Sequence, residues 1–176
     1  MTARARLTPA TGEEHRLSST EANIEAVRRL YGALNERDVN VSIEAIEDLM
    51  IPEITIHGEA NRPLTIGRET LKQAISLIKD VFPDVTATIQ FIFAEGSKVM
   101  LREEVHATHT NEWMGLPASH KKITWTASSV IRFNDKGKMV ERWVMEDQLT
   151  RLQQLGVVRV FQGNEVTRNR RPCHIS

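Results

Sequence analysis

From Glu21 the apolar residues Ile24, Val27, Leu30, Tyr31 and Leu34 recur at helical spacing, behind Ser19 and Thr20, which are good caps. A second, shorter helix is expected over Val41 to Met50, ended by Pro52, and Ile54 to His57 alternates as a short strand. Between Arg68 and Phe82 the residues Leu71, Ala74, Ile75, Ile78, Val81 and Phe82 mark a one-sided helix that Pro83 stops. After Pro83 the period becomes two. Val85 to Ala94 reads as a strand with Ile89, Phe91 and Phe93 on one face. Lys98 to Thr110, Lys121 to Phe133 and Met139 to about Asp147 read as three more strands. The segments Glu95-Gly96-Ser97 and Asn134 to Lys138 are turns, and Asn111 to His120 is a longer loop. Gln148 to Leu155 is a closing helix ended by Gly156.

The order helix, helix, short strand, helix and then a four-strand antiparallel meander predicts an α+β fold. Helices against one face of a curved sheet leave a conical pocket between the layers. Tyr31, Leu34, Leu71, Ile75 and Ile78 are expected in the core, with a few reaching that pocket, which suits a hydrophobic ligand better than a sugar or phosphate. No glycine-rich phosphate loop, Gly-x-Ser-x-Gly elbow or cysteine nucleophile occurs.

A chain of 176 residues suggests one domain. Lys+Arg and Asp+Glu each number 23, and a zero formal charge argues against an electrostatic grip on nucleic acid. The charge is unevenly spread. Residues 1–20 carry Arg4, Arg6 and Arg16 against Glu13 and Glu14, and residues 157–176 carry Arg159, Arg168, Arg170 and Arg171 against Glu165. The acidic middle is the expected domain, 21–156, and the basic ends read as tails. Cys173, the single cysteine, excludes an internal disulfide and a cysteine-rich zinc site, so a reducing, cytoplasmic setting is expected. No run approaches the ~20 apolar residues of a membrane span, and no apolar run follows Arg4 and Arg6 as in a secretory signal. Cys173-His174-Ile175-Ser176 has the form of a prenylation box, with His174 a poor fit; the alternative is a plain basic tail.

Several segments together resemble the SnoaL-like polyketide cyclases of the nuclear transport factor 2-like superfamily. They are Phe82-Pro83-Asp84, Ala94 to Val99, His109 with Gly115 and Pro117, and Ile131-Arg132-Phe133 before Gly137-Lys138. The most specific is Glu141-x-Trp143, followed by Asp147 and Leu152-x-Gln154-Leu155-Gly156. The resemblance spans about residues 21–156. It implies a cone-shaped α+β barrel, a curved antiparallel sheet with the N-terminal helices on its concave face, and a homodimer built on the sheet's outer face. It also implies ring closure by intramolecular aldol chemistry on a polyketide- or terpenoid-like substrate, without metal or organic cofactor, in secondary metabolism. Relatives isomerise, act as lyases, hydrolyse epoxides or only bind, so a non-catalytic binding or scaffold module and an epoxide hydrolase-like enzyme are the alternatives.

Aldol closure needs a base for a carbon-bound proton and a partner for the enolate oxygen. Asp147 is the first candidate base, in the family's Trp-x-x-x-Asp position, sharing a strand face with Trp143 and Met145; the competing role is a cap for the last helix. Arg102, Glu104 and His106 alternate on one strand, with Glu103 and Val105 opposite, and a bulge would exchange the two sets. Arg102 and Glu104 read as substrate-orienting groups, or as a solvated or dimer-facing ion pair. The epoxide-opening pattern wants an acid where this chain has Met145. His57 and His109 are candidates to polarise a carbonyl or shuttle a proton, against a structural role. Trp125 and Tyr31 are candidate pocket residues, and Trp113 with Met114 a candidate lid. A metal on His57, His109, His120 and Asp147 lacks any short ligand spacing, so none is expected.

Overall fold

The computed structural model describes residues 11–58, 63–64 and 67–159. The segment with Cys173 to Ser176 lies outside the described residues. The elements in chain order are α1 (Thr11–Asn35), α2 (Val39–Leu49), β1 (Met50–His57), β2 (Pro63–Leu64) and α3 (Arg68–Val81). They continue as β3 (Thr86–Glu95), β4 (Lys98–Thr108), β5 (Lys122–Phe133), β6 (Met139–Glu146) and α4 (Gln148–Leu155). One sheet runs in the order β2-β1-β6-β5-β4-β3. Its junctions are antiparallel except β1 with β6, which is parallel, so the sheet is mixed where a wholly antiparallel one was expected. The first helix begins at Thr11, inside the segment that reads as a tail.

Local chemistry explains the boundaries. Asp38 caps α2 by accepting from the Asn40 amide at 2.9 Å, and Ser42, Ala45, Ile46 and Leu49 bury one stripe of that helix. Pro52 does not sit in a break after the helix. It lies within β1, exposed, where the pairing with β6 shifts register, so its missing N–H is not needed there. Gly156 ends α4 at φ 87, with its amide bonded to Gln153 O and that of Val157 to Leu152 O.

The core joins α1 and α2 to the concave face of the sheet. Val27, Leu30 and Tyr31 pack with Ile46, Ile54, Val99, Leu101, Ile131, Phe133 and Met139. A second cluster, Val81, Phe82, Val105, Ala107, Ile123 and Trp125, lies towards α3 and α4. On β4 and β5 the odd-numbered side chains are therefore buried. The even-numbered ones, Arg102, Glu104 and His106 among them, face out. The β4–β5 register runs without a bulge, so nothing exchanges the sets. On β3 a register shift between Ile89 and Phe91 does turn the chain over. Ile89 points into the core, while Phe91 and Phe93 lie exposed on the convex face, stacked 6.3 Å apart. The single face expected for these three is thereby divided.

Candidate functional site

Between α1, α3 and the concave sheet lies a cavity of about 180 Å³. Leu34, Ile75, Ile78, Val85, Ala87, Val105 and Trp125 supply its apolar wall. Its polar groups are Asn35, Lys79, Glu103, Glu146 and Arg151. Asn35 and Lys79 are used structurally. The Asn35 amide pins α1 to β3, accepting from Ala87 N at 2.7 Å and donating to Ala87 O at 3.0 Å. Lys79 Nζ donates to the carbonyls of Leu34 and Glu36 at the end of α1. A larger groove of about 500 Å³ between α1 and α2 is open to solvent, and its Arg29 and Asp48 pair with each other.

Glu103 is the chemically distinctive residue of the cavity. It is only 4% exposed, because β4 alternates and its position belongs to the buried set. The Tyr31 hydroxyl donates to its carboxylate, and Arg142 Nη2 stands 3.6 Å from Oε1. Arg142 is itself held by Ser129 Oγ at 2.9 Å and donates to Tyr31 Oη at 3.4 Å. Burial pushes the Glu103 carboxyl above its ordinary value. Arg142 and the Tyr31 hydroxyl oppose this, Glu146 adds to it, and the net shift is upward. Burial likewise raises the Tyr31 phenol. For Arg142 burial acts to lower the value, but the neighbouring Tyr31, Glu103 and Glu146 outweigh it and the guanidinium stays charged.

Across the cavity, Arg151 Nη1 pairs with Glu146 Oε2 at 3.1 Å. The guanidinium carbon sits 4.7 Å from the Trp113 ring centre and 5.1 Å from that of Trp125. Arg151 Nε and Trp125 Nε1 are buried without a hydrogen-bond partner. Each such group costs about 1–3 kcal/mol when it stays unmet.

The expected site residues divide between the two sides of the sheet. Tyr31 and Trp125 belong to the interior site. Asp147 is exposed, caps α4 by accepting from Thr150 N at 3.0 Å, and does not line the cavity. The Thr150 bonds hold its carboxyl below the ordinary range. The strand ends at Glu146, one residue earlier than the pattern suggested, and the inward side chain there is Glu146. Arg102 and Glu104 are on the convex face. Arg102 Nε donates to Gln90 Oε1 at 3.0 Å, and Glu104 Oε1 meets His106 Nε2 at 3.0 Å. Trp143 and Met145 share that face. His57 stacks on Trp143 at 5.1 Å and bonds Glu141 Oε1 at 2.8 Å. His109 is buried beside Phe82. Its Nδ1 accepts from Ser119 N at 3.2 Å, which places the proton on Nε2, and it does not line the cavity. Trp113 packs edge-on to Phe82 and reaches the site through Arg151, whereas Met114 is fully outside at 84% exposure. Residues not foreseen are Glu103, Arg142, Glu146 and Arg151. The signal for Glu103 was its company: Leu101, Val105 and Ala107 make its face of β4 the apolar one.

Among the described residues no three His, Cys, Asp or Glu side chains gather as metal ligands, and no helix is long and apolar enough to cross a membrane.

A search of curated proteins gave no match. Solved structures did. IdmH of Streptomyces antibioticus, a proposed polyketide cyclase, is similar at 31% identity over 77% of this chain and 99% of its own, with TM-score 0.64. AclR of Streptomyces galilaeus, a proposed hydroxylase, is 26% identical over 80% of this chain and 89% of its own, with TM-score 0.69. A proposed SnoaL-like polyketide cyclase of Jannaschia sp. CCS1 has TM-score 0.71 at 15% identity, over 89% of this chain and 100% of its own, and that likeness is one of fold. The family model of the SnoaL-like polyketide cyclases matches residues 24–155. With fold and sequence in agreement over this span, the chain belongs to the SnoaL-like polyketide cyclase family.

Proposed function

We propose that the chain is an enzyme that closes or rearranges a small carbon skeleton by acid–base chemistry in the interior cavity, with Glu103 as the proton-transferring group. One observation carries this reading: a buried carboxylate of raised pKa in the wall of an apolar cavity. In an aldol closure the Glu103 carboxylate removes a proton from carbon next to a carbonyl. The enolate carbon attacks a second carbonyl, one carbon–carbon bond forms, and the new alkoxide oxygen takes the proton back from Glu103. Its raised basicity favours the first transfer, and confinement aligns the reacting ends. Tyr31 and Arg142 are positioning residues that fix the carboxylate.

The volume of about 180 Å³ lies below the usual range for drug-sized ligands, and a cavity of ~150 Å³ suffices for one benzene ring. The site therefore takes one ring-sized portion of a hydrophobic substrate at a time. Heptane-2,6-dione, which closes to a six-membered β-hydroxy ketone that then loses water to give the cyclic enone, is a suitable minimal substrate. Wild-type protein is expected to form the enone above the buffer rate. Glu103→Gln should lose about 10²–10⁴-fold, whereas Asp147→Asn should retain activity. Full activity in Glu103→Gln, or loss confined to Asp147→Asn, refutes the assignment.

Epoxide hydration is a second reading, favoured by Arg142 standing 3.6 Å from Glu103 in a cavity whose wall also carries Glu146. Turnover of a simple cyclic epoxide such as cyclohexene oxide, with none of the dione, would select it. The convex face carries a row of paired positions, Phe93, Met100, Val130, Trp143 and His57, with Met145 71% exposed beside it, which supports a homodimer formed there.

A further inference from the structure

We propose that Trp125 Nε1 and Arg151 Nε form an acceptor-binding subsite that holds the carbonyl oxygen of a ketone substrate, and the negative charge that oxygen gains as an enolate. The proposal rests on the placing of Glu103 in the same cavity as the base. Both side chains line the cavity, both are more than nine-tenths buried, and both N–H groups are without a partner. The nearby acceptors are engaged elsewhere. Glu146 Oε2 takes Arg151 Nη1, and Glu103 is held by Tyr31 and Arg142.

The two donors are fixed before any ligand arrives. The Trp125 ring lies 6.3 Å from Phe82, tilted against it, and the Arg151 guanidinium covers it at 5.1 Å. Arg151 is in turn held by the Trp113 face and the Glu146 carboxylate. Donors held this way need no reorganisation when charge develops, which is the requirement for stabilising an oxyanion. The charge also balances. When Glu103 takes the proton it becomes neutral, and its negative charge reappears on the substrate oxygen. A cationic guanidinium and a neutral indole N–H suit an oxygen that starts uncharged and becomes an anion. A permanent anion such as a carboxylate would instead bring a third acid group beside Glu103 and Glu146. The ligand class is thus a neutral ketone with an adjacent C–H.

The test compares cyclohexanone with methylenecyclohexane, which has the same shape without the oxygen acceptor. The affinity of each ligand is measured on the full chain by competition in ligand-observed saturation-transfer NMR, which reads every variant alike, and the contact itself is followed by the indole ¹H–¹⁵N resonance that disappears in Trp125→Phe. In wild-type protein the ketone should bind about tenfold more tightly than the hydrocarbon and move that resonance. The preference should fall to about threefold or less in Trp125→Phe and in Arg151→Lys. Comparing two ligands within each variant removes any common loss from altered packing. Failure of cyclohexanone to move the indole resonance, or an unchanged preference in both variants, overturns the subsite. Deuterium exchange at the ketone's α carbon, measured in Glu103→Gln, reports on the base separately. Lost exchange with an unchanged ligand preference in the two donor variants removes the subsite alone. Wild-type exchange in Glu103→Gln with a lost preference in the donor variants removes the base alone.

Discussion

Arg142→Met removes the cation that faces the buried Glu103 carboxylate. The pair is 3.6 Å apart, with side chains 19% and 6% exposed, so solvent compensates little. Breaking a buried pair from one side costs about 3–5 kcal/mol, and the long separation places this case near the lower figure. The loss should be measured by urea denaturation with the slope unchanged. The second arm is Arg142→Met with Glu103→Gln, where no buried charge is left alone. It should recover about 2 kcal/mol of the loss. The dependence on pH has a definite sign. Glu103 titrates above its ordinary value in the fold, so its share of stability is complete below the unfolded value and falls as pH rises through the folded one. Without Arg142 the folded value rises further, and the decline should extend to higher pH in Arg142→Met but vanish in the double variant. Equal losses in the single and double variants, independent of pH, would refute a charged Glu103–Arg142 pair.

Three further outcomes follow from the geometry. Asp147→Ala should lower stability through loss of the α4 cap, while Asp147→Asn, which can cap equally well, should match wild type by thermal denaturation. Phe93→Glu should shift the protein from dimer to monomer in analytical ultracentrifugation, and a wild-type monomer would dispose of the convex-face interface. Trp125→Ala should destabilise by about 3–5 kcal/mol in urea denaturation, since the ring is 6% exposed and packed on Phe82 and Arg151.

The order of elements was legible because helical and two-residue periods alternate cleanly and the turns carry Gly96, Gly137 and Gly156. Face assignments were harder where both faces carry apolar side chains. On β6, Trp143, Val144 and Met145 follow one another, so alternation could not say that Trp143 and Met145 face outward and Glu146 inward. The parity that links Asp147 to Trp143 and Met145 held, but it placed all three on the convex side. On β3 a bulge between Ile89 and Phe91, invisible in the composition, reversed the phase. On β4 the pattern was sufficient: Val99, Leu101, Val105 and Ala107 are apolar and the intervening residues are mostly polar, so the acid riding with the apolar set was the buried one. Arg102 and Glu104, the more conspicuous polar pair, belong to the opposite face. The partnership of Tyr31 with Arg142, 111 positions apart, could come only from the fold.

Proton abstraction by Glu103 is most directly tested by the pH profile of deuterium exchange at the α carbon of cyclohexanone. The wild-type rate should rise with pH through an apparent pKa above the ordinary glutamate value of ~4.3, Asp147→Asn should reproduce the profile, and Glu103→Gln should lie at the buffer rate throughout. An unchanged profile in Glu103→Gln, or a profile lost in Asp147→Asn, would contradict the assignment.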